Sequence, residues 1–282
     1  MNRFPGPLCF IGGGNMARAI FDGARAAGVI DPAQVLVAEP DEHRRAHFNA
    51  AGVTAFADTP SALSALRTRE GAHPGAILLA VKPQVLASVA PDLRAFTGAD
   101  STPRTLISIL AGTTTAKLQA AISNSIHIIR AMPNTPAQVL QGATALCLGP
   151  GVTWDHAASA ELLFRAVGPV VVRIDERLMD AFTALASSGP AYLFYLANAM
   201  IDAGVKLGFD PATSDRLVRQ TITGAAALLA QSTSPPADLI AAVKSKGGTT
   251  EAALNVLARE NVHNAFIAAL TAARDRGREL SQ

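Results

Sequence analysis

Two glycine-bearing turns carry the residues of this chain whose types and spacing suit chemistry. Ser245-Lys246-Gly247-Gly248-Thr249-Thr250 stands just before the amphipathic run Glu251 to Ala258. Its glycines let backbone N–H groups come close to a ligand, and the hydroxyls of Thr249 and Thr250 stand at a helix start whose dipole favours negative charge. A small carboxylate suits that turn. The second turn, Gly12-Gly13-Gly14-Asn15-Met16-Ala17, follows the apolar run Leu8 to Ile11 and opens a helix. In that context Gly12-x-Gly14-x-x-Ala17 is a dinucleotide fingerprint: Gly12 permits the tight turn, Gly14 leaves room for a pyrophosphate, and Ala17 lets the helix lie close to the strand. Together the two turns predict a two-substrate enzyme.

Further candidates lie where strands of a doubly wound sheet would end, the edge at which such sheets bind ligands. Glu39 ends the run Val35 to Ala38, where a carboxylate meets the adenine ribose and favours the 2′-OH of NAD over a 2′-phosphate. Arg44 and Arg45 follow within a helical turn and either reach a phosphate or belong to a solvated helix face. Val81-Lys82-Pro83 closes the run that begins at Ala76; Pro83 stops the strand, and Lys82 faces the cofactor or solvent. In Arg130-Ala131-Met132-Pro133-Asn134-Thr135-Pro136, the prolines fix the loop, and Asn134 either offers its amide to a nicotinamide or forms an Asx turn. The predicted dinucleotide positions are thus Gly12, Gly13, Gly14, Asn15, Met16, Glu39, Val81, Lys82, Pro83 and Asn134. The histidines suggest no metal: His43 and His47 share an i, i+4 spacing but lie on a charged, exposed helix with no third ligand.

These residues need a frame to hold them. Up to about residue 174, short β-type runs (Leu8–Ile11, Val35–Ala38, Ala76–Val81, Leu106–Ile109, Ile126–Arg130, Ala143–Leu148, Val170–Ile174) alternate with amphipathic ones, which predicts a doubly wound, Rossmann-type α/β domain over residues 1–174. From 175 to 282 the texture is helical and Ala-rich: Glu176 to Leu207 reads as one long stretch interrupted at Ser187-Ser188-Gly189-Pro190, and four more helical runs follow. Helices apolar on more than one face complete their core with a second subunit, so this part is expected to dimerise. At 282 residues and 49% apolar content the chain can bury a sizeable core and form two domains.

A net charge of +2 without Lys or Arg runs beyond pairs argues against a nucleic-acid partner. No signal-peptide pattern or bilayer-length apolar stretch occurs, and the only cysteines, Cys9 and Cys147, lie in apolar strand contexts. The expectation is a cytoplasmic protein with free, buried thiols and no membrane partner.

The combination resembles pyrroline-5-carboxylate reductase. The resemblance runs through Phe10-Ile11-Gly12-Gly13-Gly14-Asn15-Met16-Ala17, Ala80-Val81-Lys82-Pro83-Gln84, Ser108-Ile109-Leu110-Ala111-Gly112, Met132-Pro133-Asn134-Thr135-Pro136, Gly189-Pro190-Ala191-Tyr192 and Gly247-Gly248-Thr249-Thr250. The last set is the one specific to that family. It implies NADPH- or NADH-dependent reduction of the cyclic imine 1-pyrroline-5-carboxylate to L-proline, by a homodimer or higher homo-oligomer. Ser245, Gly247, Gly248 and Thr249 would bind the substrate's carboxylate. Thr250 would be the catalytic residue, holding the ring nitrogen, although the same residue type at a helix start also serves as an N-cap. Three departures stand out: Ser187 and Lys246 replace a glycine and a proline usual in the family, and Glu39 stands where members often carry a neutral or basic residue. A hydroxyacid dehydrogenase of the same build would place a Lys in the long helix, and Ser188 to Met200 has none. A non-catalytic dinucleotide sensor would not need the intact Gly247 to Thr250 turn.

Overall fold

The computed structural model describes residues 3–123 and 125–281. The chain runs β1 (Leu8–Ile11), α1 (Asn15–Ala26), β2 (Val35–Ala38), α2 (Glu42–Ala50), β3 (Thr54–Phe56), α3 (Thr59–Arg69), β4 (Ala76–Leu79), α4 (Leu86–Gly98), β5 (Thr105–Ser108), α5 (Thr115–Ala121) and β6 (His127–Met132). It continues through β7 (Ala143–Leu148), α6 (Trp154–Arg165), β8 (Val170–Arg173) and α7 (Met179–Phe182). The helices α8 (Gly189–Lys206), α9 (Pro211–Gln231), α10 (Pro236–Val243), α11 (Thr249–Arg259) and α12 (Val262–Ser281) complete it. Two compact units result, Met1–Ser187 with Ala273–Gln282, and Ser188–Ala272.

In the first unit one sheet has the order β3-β2-β1-β4-β5-β6-β7-β8. Strands β1 to β6 are parallel, in the order of a dinucleotide-binding doubly wound fold, whose switch point lies between β1 and β4. Every residue of β1, β2 and β4 is buried because helices cover both faces, and these strands therefore read as continuous apolar runs. One core layer holds Phe10, Phe21, Phe48 and Phe164. The other holds Leu63, Leu66, Leu93 and Leu118. Burying each such side chain contributes about 1.5–3 kcal/mol before entropy, so the glycine turn stands on a well-filled platform.

Two features of the sheet depart from the sequence reading. β3 is not among the expected strands: it is an edge strand of three residues, too short to show periodicity. β7 pairs antiparallel with β6, against the expectation of a parallel sheet. The connection from Met132 to Ala143 holds only a short 3-10 turn over Thr135–Val139, and a parallel return needs a crossover of a dozen residues or more.

The expected long helix over 176–207 is broken more than once. A 3-10 turn over Glu176–Leu178 leads into α7, a π-helical turn follows over Thr183–Ser187, and α8 starts afresh at Gly189. The π turn bonds sideways: the Ala186 carbonyl accepts from Asn134 Nδ2 at 3.1 Å, and Ser187 Oγ donates to the Pro133 carbonyl at 3.4 Å. Pro190 lacks an N–H and so suits the new helix start.

The same contacts explain why the compact units part at Ser187 and not after Ile174. Glu176 accepts from the Thr115 N–H at 2.8 Å and the Thr115 hydroxyl at 2.7 Å, and pairs with buried Arg130 at 3.1 Å. The end of α12 also belongs with the first unit: Ser281 Oγ lies 3.3 Å from Asp180 Oδ1, and a Cβ at Gly112 would meet the Leu280 Cβ at 3.2 Å. In the second unit α8 packs on α9, where the Ser214 hydroxyl donates to the Ile201 carbonyl at 2.8 Å. Ser214 and Val218 are the buried residues among the described ones of α8 to α12.

Candidate active site

At the carboxyl edge of β1, β2 and β4 lies a cleft of about 750 Å³ lined by Gly12, Gly14, Asn15, Met16, Glu39, Val81, Lys82 and Pro83, all of them predicted from sequence. The three glycines of the turn are there for different reasons. Gly12 has φ +101°, and a Cβ there would lie 2.7 Å from the Ala80 carbonyl oxygen. A Cβ at Gly13 would press on Phe48 and Glu39, at 2.9 and 3.1 Å. At Gly14 a Cβ would meet no protein atom within 4 Å, so this position faces the cleft itself. Helix α1 begins with Gly14 as N-cap and no side-chain cap, and its first bond runs from Arg18 N–H to the Gly14 carbonyl at 2.9 Å. The N–H groups of Asn15, Met16 and Ala17 precede that bond and stand free to receive an anion. A pyrophosphate fits this cradle.

Glu39 is 5% exposed, and both carboxylate oxygens are engaged, Oε2 by the Gly13 N–H at 2.8 Å and Oε1 by the Asp41 N–H at 3.0 Å. Arg44 Nη1 lies 3.8 Å from Oε2 and lines the cleft, whereas Arg45 turns back onto the Glu39 and Pro40 carbonyls. Lys82 is exposed on the cleft wall. Asn134, expected to offer its amide to a nicotinamide, is 8% exposed and lies outside the cleft lining. Its Oδ1 accepts from the Ala143 N–H at 2.9 Å and its Nδ2 donates to Ala186, so the amide fastens the β6–β7 connection to the π turn. Sequence reasoning missed Asp58 and Thr59, which line the same cleft, because it missed β3, the strand that delivers them. Hydrogen bonds from the Ser61 N–H and hydroxyl hold the Asp58 carboxyl below the usual carboxylate range, so it stays charged at the rim.

The second turn lies in the helical unit. Gly247 has φ +72°, a left-handed conformation that favours glycine. Its N–H, expected to serve the substrate, donates instead to Glu251 Oε2 at 2.7 Å, and the Gly248 N–H donates to the Ser245 carbonyl at 3.0 Å. A Cβ at Gly248 would run into the Ser245 hydroxyl. The N-cap of α11 is Gly248, with no side-chain cap, so the alternative role of Thr250 as a helix cap is not realised. The first helical bond joins Ala252 N–H to the Gly248 carbonyl at 3.1 Å, which leaves the N–H groups of Thr249, Thr250 and Glu251 ahead of it as donors.

Other groups are arranged for structure. Cys9 and Cys147 are free and buried. Burial, then the nearby Glu176 carboxylate, pushes the Cys147 thiol up to about 12, and burial raises that of Cys9 further, so neither supplies a thiolate. His43 is exposed as expected, but His47 is half-buried, pairing with Asp22 at 3.0 Å and meeting Phe21 and Phe48 edge-on. Among the described residues no group of three His, Cys, Asp or Glu is placed to hold a metal, and no helix is long and apolar enough to cross a membrane.

Sheet order, glycine turn and cleft together define a dinucleotide-binding protein of the doubly wound class, followed in the chain by a helical unit. Residues 7–112 match a family model described as NADP oxidoreductase, coenzyme F420-dependent, and residues 176–280 match one described as pyrroline-5-carboxylate reductase dimerisation. The pyrroline-5-carboxylate reductase of Pseudomonas aeruginosa is 38% identical over 98% of this chain and 97% of its own length. Among solved structures, a pyrroline-5-carboxylate reductase from Coxiella burnetii superposes with a TM-score of 0.86 at 35% identity, covering 98% of this chain and 99% of that one. The Plasmodium falciparum enzyme, solved with NADP bound, gives 0.83 at 26% identity, covering 99% and 100%. The chain belongs to the pyrroline-5-carboxylate reductase family.

Proposed function

We propose that this protein reduces the cyclic imine 1-pyrroline-5-carboxylate to L-proline with NADPH or NADH. The observation that carries the reading is Gly14, whose missing side chain leaves a ligand-sized opening beside the unengaged N–H groups of α1. NAD(P)H, when bound, supplies the hydride for the C=N carbon. Asn15, Met16 and Ala17 hold its pyrophosphate, and Gly12, Gly13, Val81, Lys82 and Pro83 shape the walls. Glu39 lies at the adenine ribose: a carboxylate has lone pairs beyond the two engaged ones, so it can still accept a 2′-OH, while Arg44 offsets the charge of a 2′-phosphate. Both cofactors are therefore used. Asn134 serves as a positioning residue for the cleft wall.

The substrate's own chemistry lightens the enzyme's task, since a protonated imine accepts hydride without a strong acid beside it. Binding and orientation are what remain. The N–H groups of Thr249 and Thr250, with the Ser245 hydroxyl, receive the carboxylate, and the glycines at 247 and 248 hold the turn open. The Thr250 hydroxyl hydrogen-bonds the ring nitrogen and steadies its proton.

The region from 175 to 282 is the substrate-binding and dimerisation part. Leu193, Phe194, Tyr195, Leu207 and Leu228 are 54%, 69%, 80%, 82% and 69% exposed in the single chain, an apolar area that a second copy would cover. Light scattering at low concentration tests this, and an active, stable monomer would refute it. The two buried thiols suit the reducing cytoplasm. Steady-state reduction of 1-pyrroline-5-carboxylate, with NADPH and NADH side by side, tests the activity. Absence of turnover with both cofactors sinks it.

A further inference from the structure

The anion-receiving turn of the helical unit already holds a carboxylate of its own. Glu251, in the first turn of α11, bends back so that Oε2 accepts the Gly247 N–H at 2.7 Å. Its Oε1 lies 3.7 Å from Lys244 Nζ. The Glu251 side chain is 30% exposed and that of Lys244 is 45% exposed, so the pair sits at the surface of the turn and is not packed into it. Lys246, the neighbouring exposed cation, has no ion pair among the described residues.

We infer that Glu251 is the chain's built-in competitor for the substrate's carboxylate, and that it sets how strongly an imine bearing a carboxylate is favoured over one without. The inference rests on the reading that Ser245 to Thr250 receives that carboxylate. A carboxylate arriving at the Thr249 and Thr250 N–H groups meets a like charge held one residue away, and both draw on the same helix dipole and the same Lys244. Either Glu251 releases Gly247, or the newcomer binds against repulsion. Each route weakens the binding of any carboxylated ligand, substrate and product alike. A protonated imine without a carboxylate does not compete with Glu251 for the turn and feels only its attraction. The contact is local and exposed, so it is readily exchanged, and its effect is that of a screened surface charge.

The test compares wild type with Glu251→Gln, which keeps an acceptor oxygen for Gly247 and removes the charge, and with Glu251→Ala. Three quantities are measured at fixed cofactor: KM for 1-pyrroline-5-carboxylate, the inhibition constant of L-proline, and kcat/KM for 1-pyrroline, the same ring without the carboxylate. Glu251→Gln lowers the first two by the same factor, about two- to fivefold, as expected for a partly exposed charge. The third does not rise. If Glu251→Gln leaves KM and the proline constant where they were, or raises them, Glu251 is a helix-start acceptor and the inference is overturned, even should Glu251→Ala prove unstable. If wild type instead reduces both imines with equal kcat/KM, the turn does not receive a carboxylate, and it is the parent reading that fails.

Discussion

Gly13 donates its N–H to Glu39 at 2.8 Å, and Gly247 donates its N–H to Glu251 at 2.7 Å, yet the two carboxylates are held quite differently. Glu39 comes from the end of a neighbouring strand, is 5% exposed, and has its second oxygen fixed by Asp41. Glu251 comes from its own helical turn, is 30% exposed along its side chain, and has its second oxygen only near a flexible lysine. The first is fixed in place, because removing it would leave the buried Gly13 N–H without a partner. The second can give way to a ligand, since water replaces what it loses. Closely similar bond lengths therefore say little about which group yields; burial decides it.

The most drastic way to probe the first turn is Gly14→Val. The fold has space for the side chain, but that space is the cleft, so the variant should fold and lose dinucleotide binding altogether. Cofactor titration by fluorescence reads this out, and unchanged affinity in the folded variant would remove the turn from the site. In the second turn, Thr250→Ala should lower kcat/KM for the imine by roughly tenfold, as for a hydrogen bond to a charged group worth ~1.5–3 kcal/mol, with cofactor affinity unaltered. Because Gly248 is the N-cap, melting temperature should hardly move. A destabilised variant with intact kcat/KM would restore the capping role.

Smaller effects sharpen the contrast between the carboxylates. Glu39→Ser leaves the buried Gly13 N–H unmatched at ~1–3 kcal/mol, while water replaces the partner of the exposed Asp41 N–H; thermal unfolding should register the loss as several degrees. On the proposed reading the same variant should shift the cofactor ratio toward NADPH, because the Glu39 carboxylate is gone from the cleft and Arg44 remains; an unchanged ratio assigns the choice to Arg44 alone. Glu251→Ala should cost about 1 kcal/mol or less, as exposed pairs do. Equal stability losses in the two variants would erase the distinction.

What could be read in the sequence divides along the same line between local and distant. The first glycine turn was legible because three small residues follow an apolar run and open a helix, and each contributes through its own backbone. β3 was not, because Thr54–Phe56 is too short to show alternation, and Asp58 and Thr59 were missed with it. The antiparallel β7 follows from the short connection after Met132, a length the sequence does contain, though not as a periodicity. For Asn134 the residue type suggested a ligand contact, but its partners Ala143 and Ala186 are backbone groups that only the folded chain brings near. Glu39 was read correctly as a strand end. Its hold on Gly13 depends on the packing of β2 against β1, and no spacing rule announces that.

The last turns of α12 lie with the first unit, where Ser281 reaches Asp180 across a sequence separation of 101 residues and Leu280 lies against Gly112. As the chain leaves the ribosome, the sheet and its glycine turn can form early, but this piece of their surface arrives only after all the helices of the second unit have been made. Such late, long-range closure carries a loop entropy that local helices do not. The nascent cofactor unit therefore waits, with Gly112 and Asp180 uncovered, for the chain to come back to it.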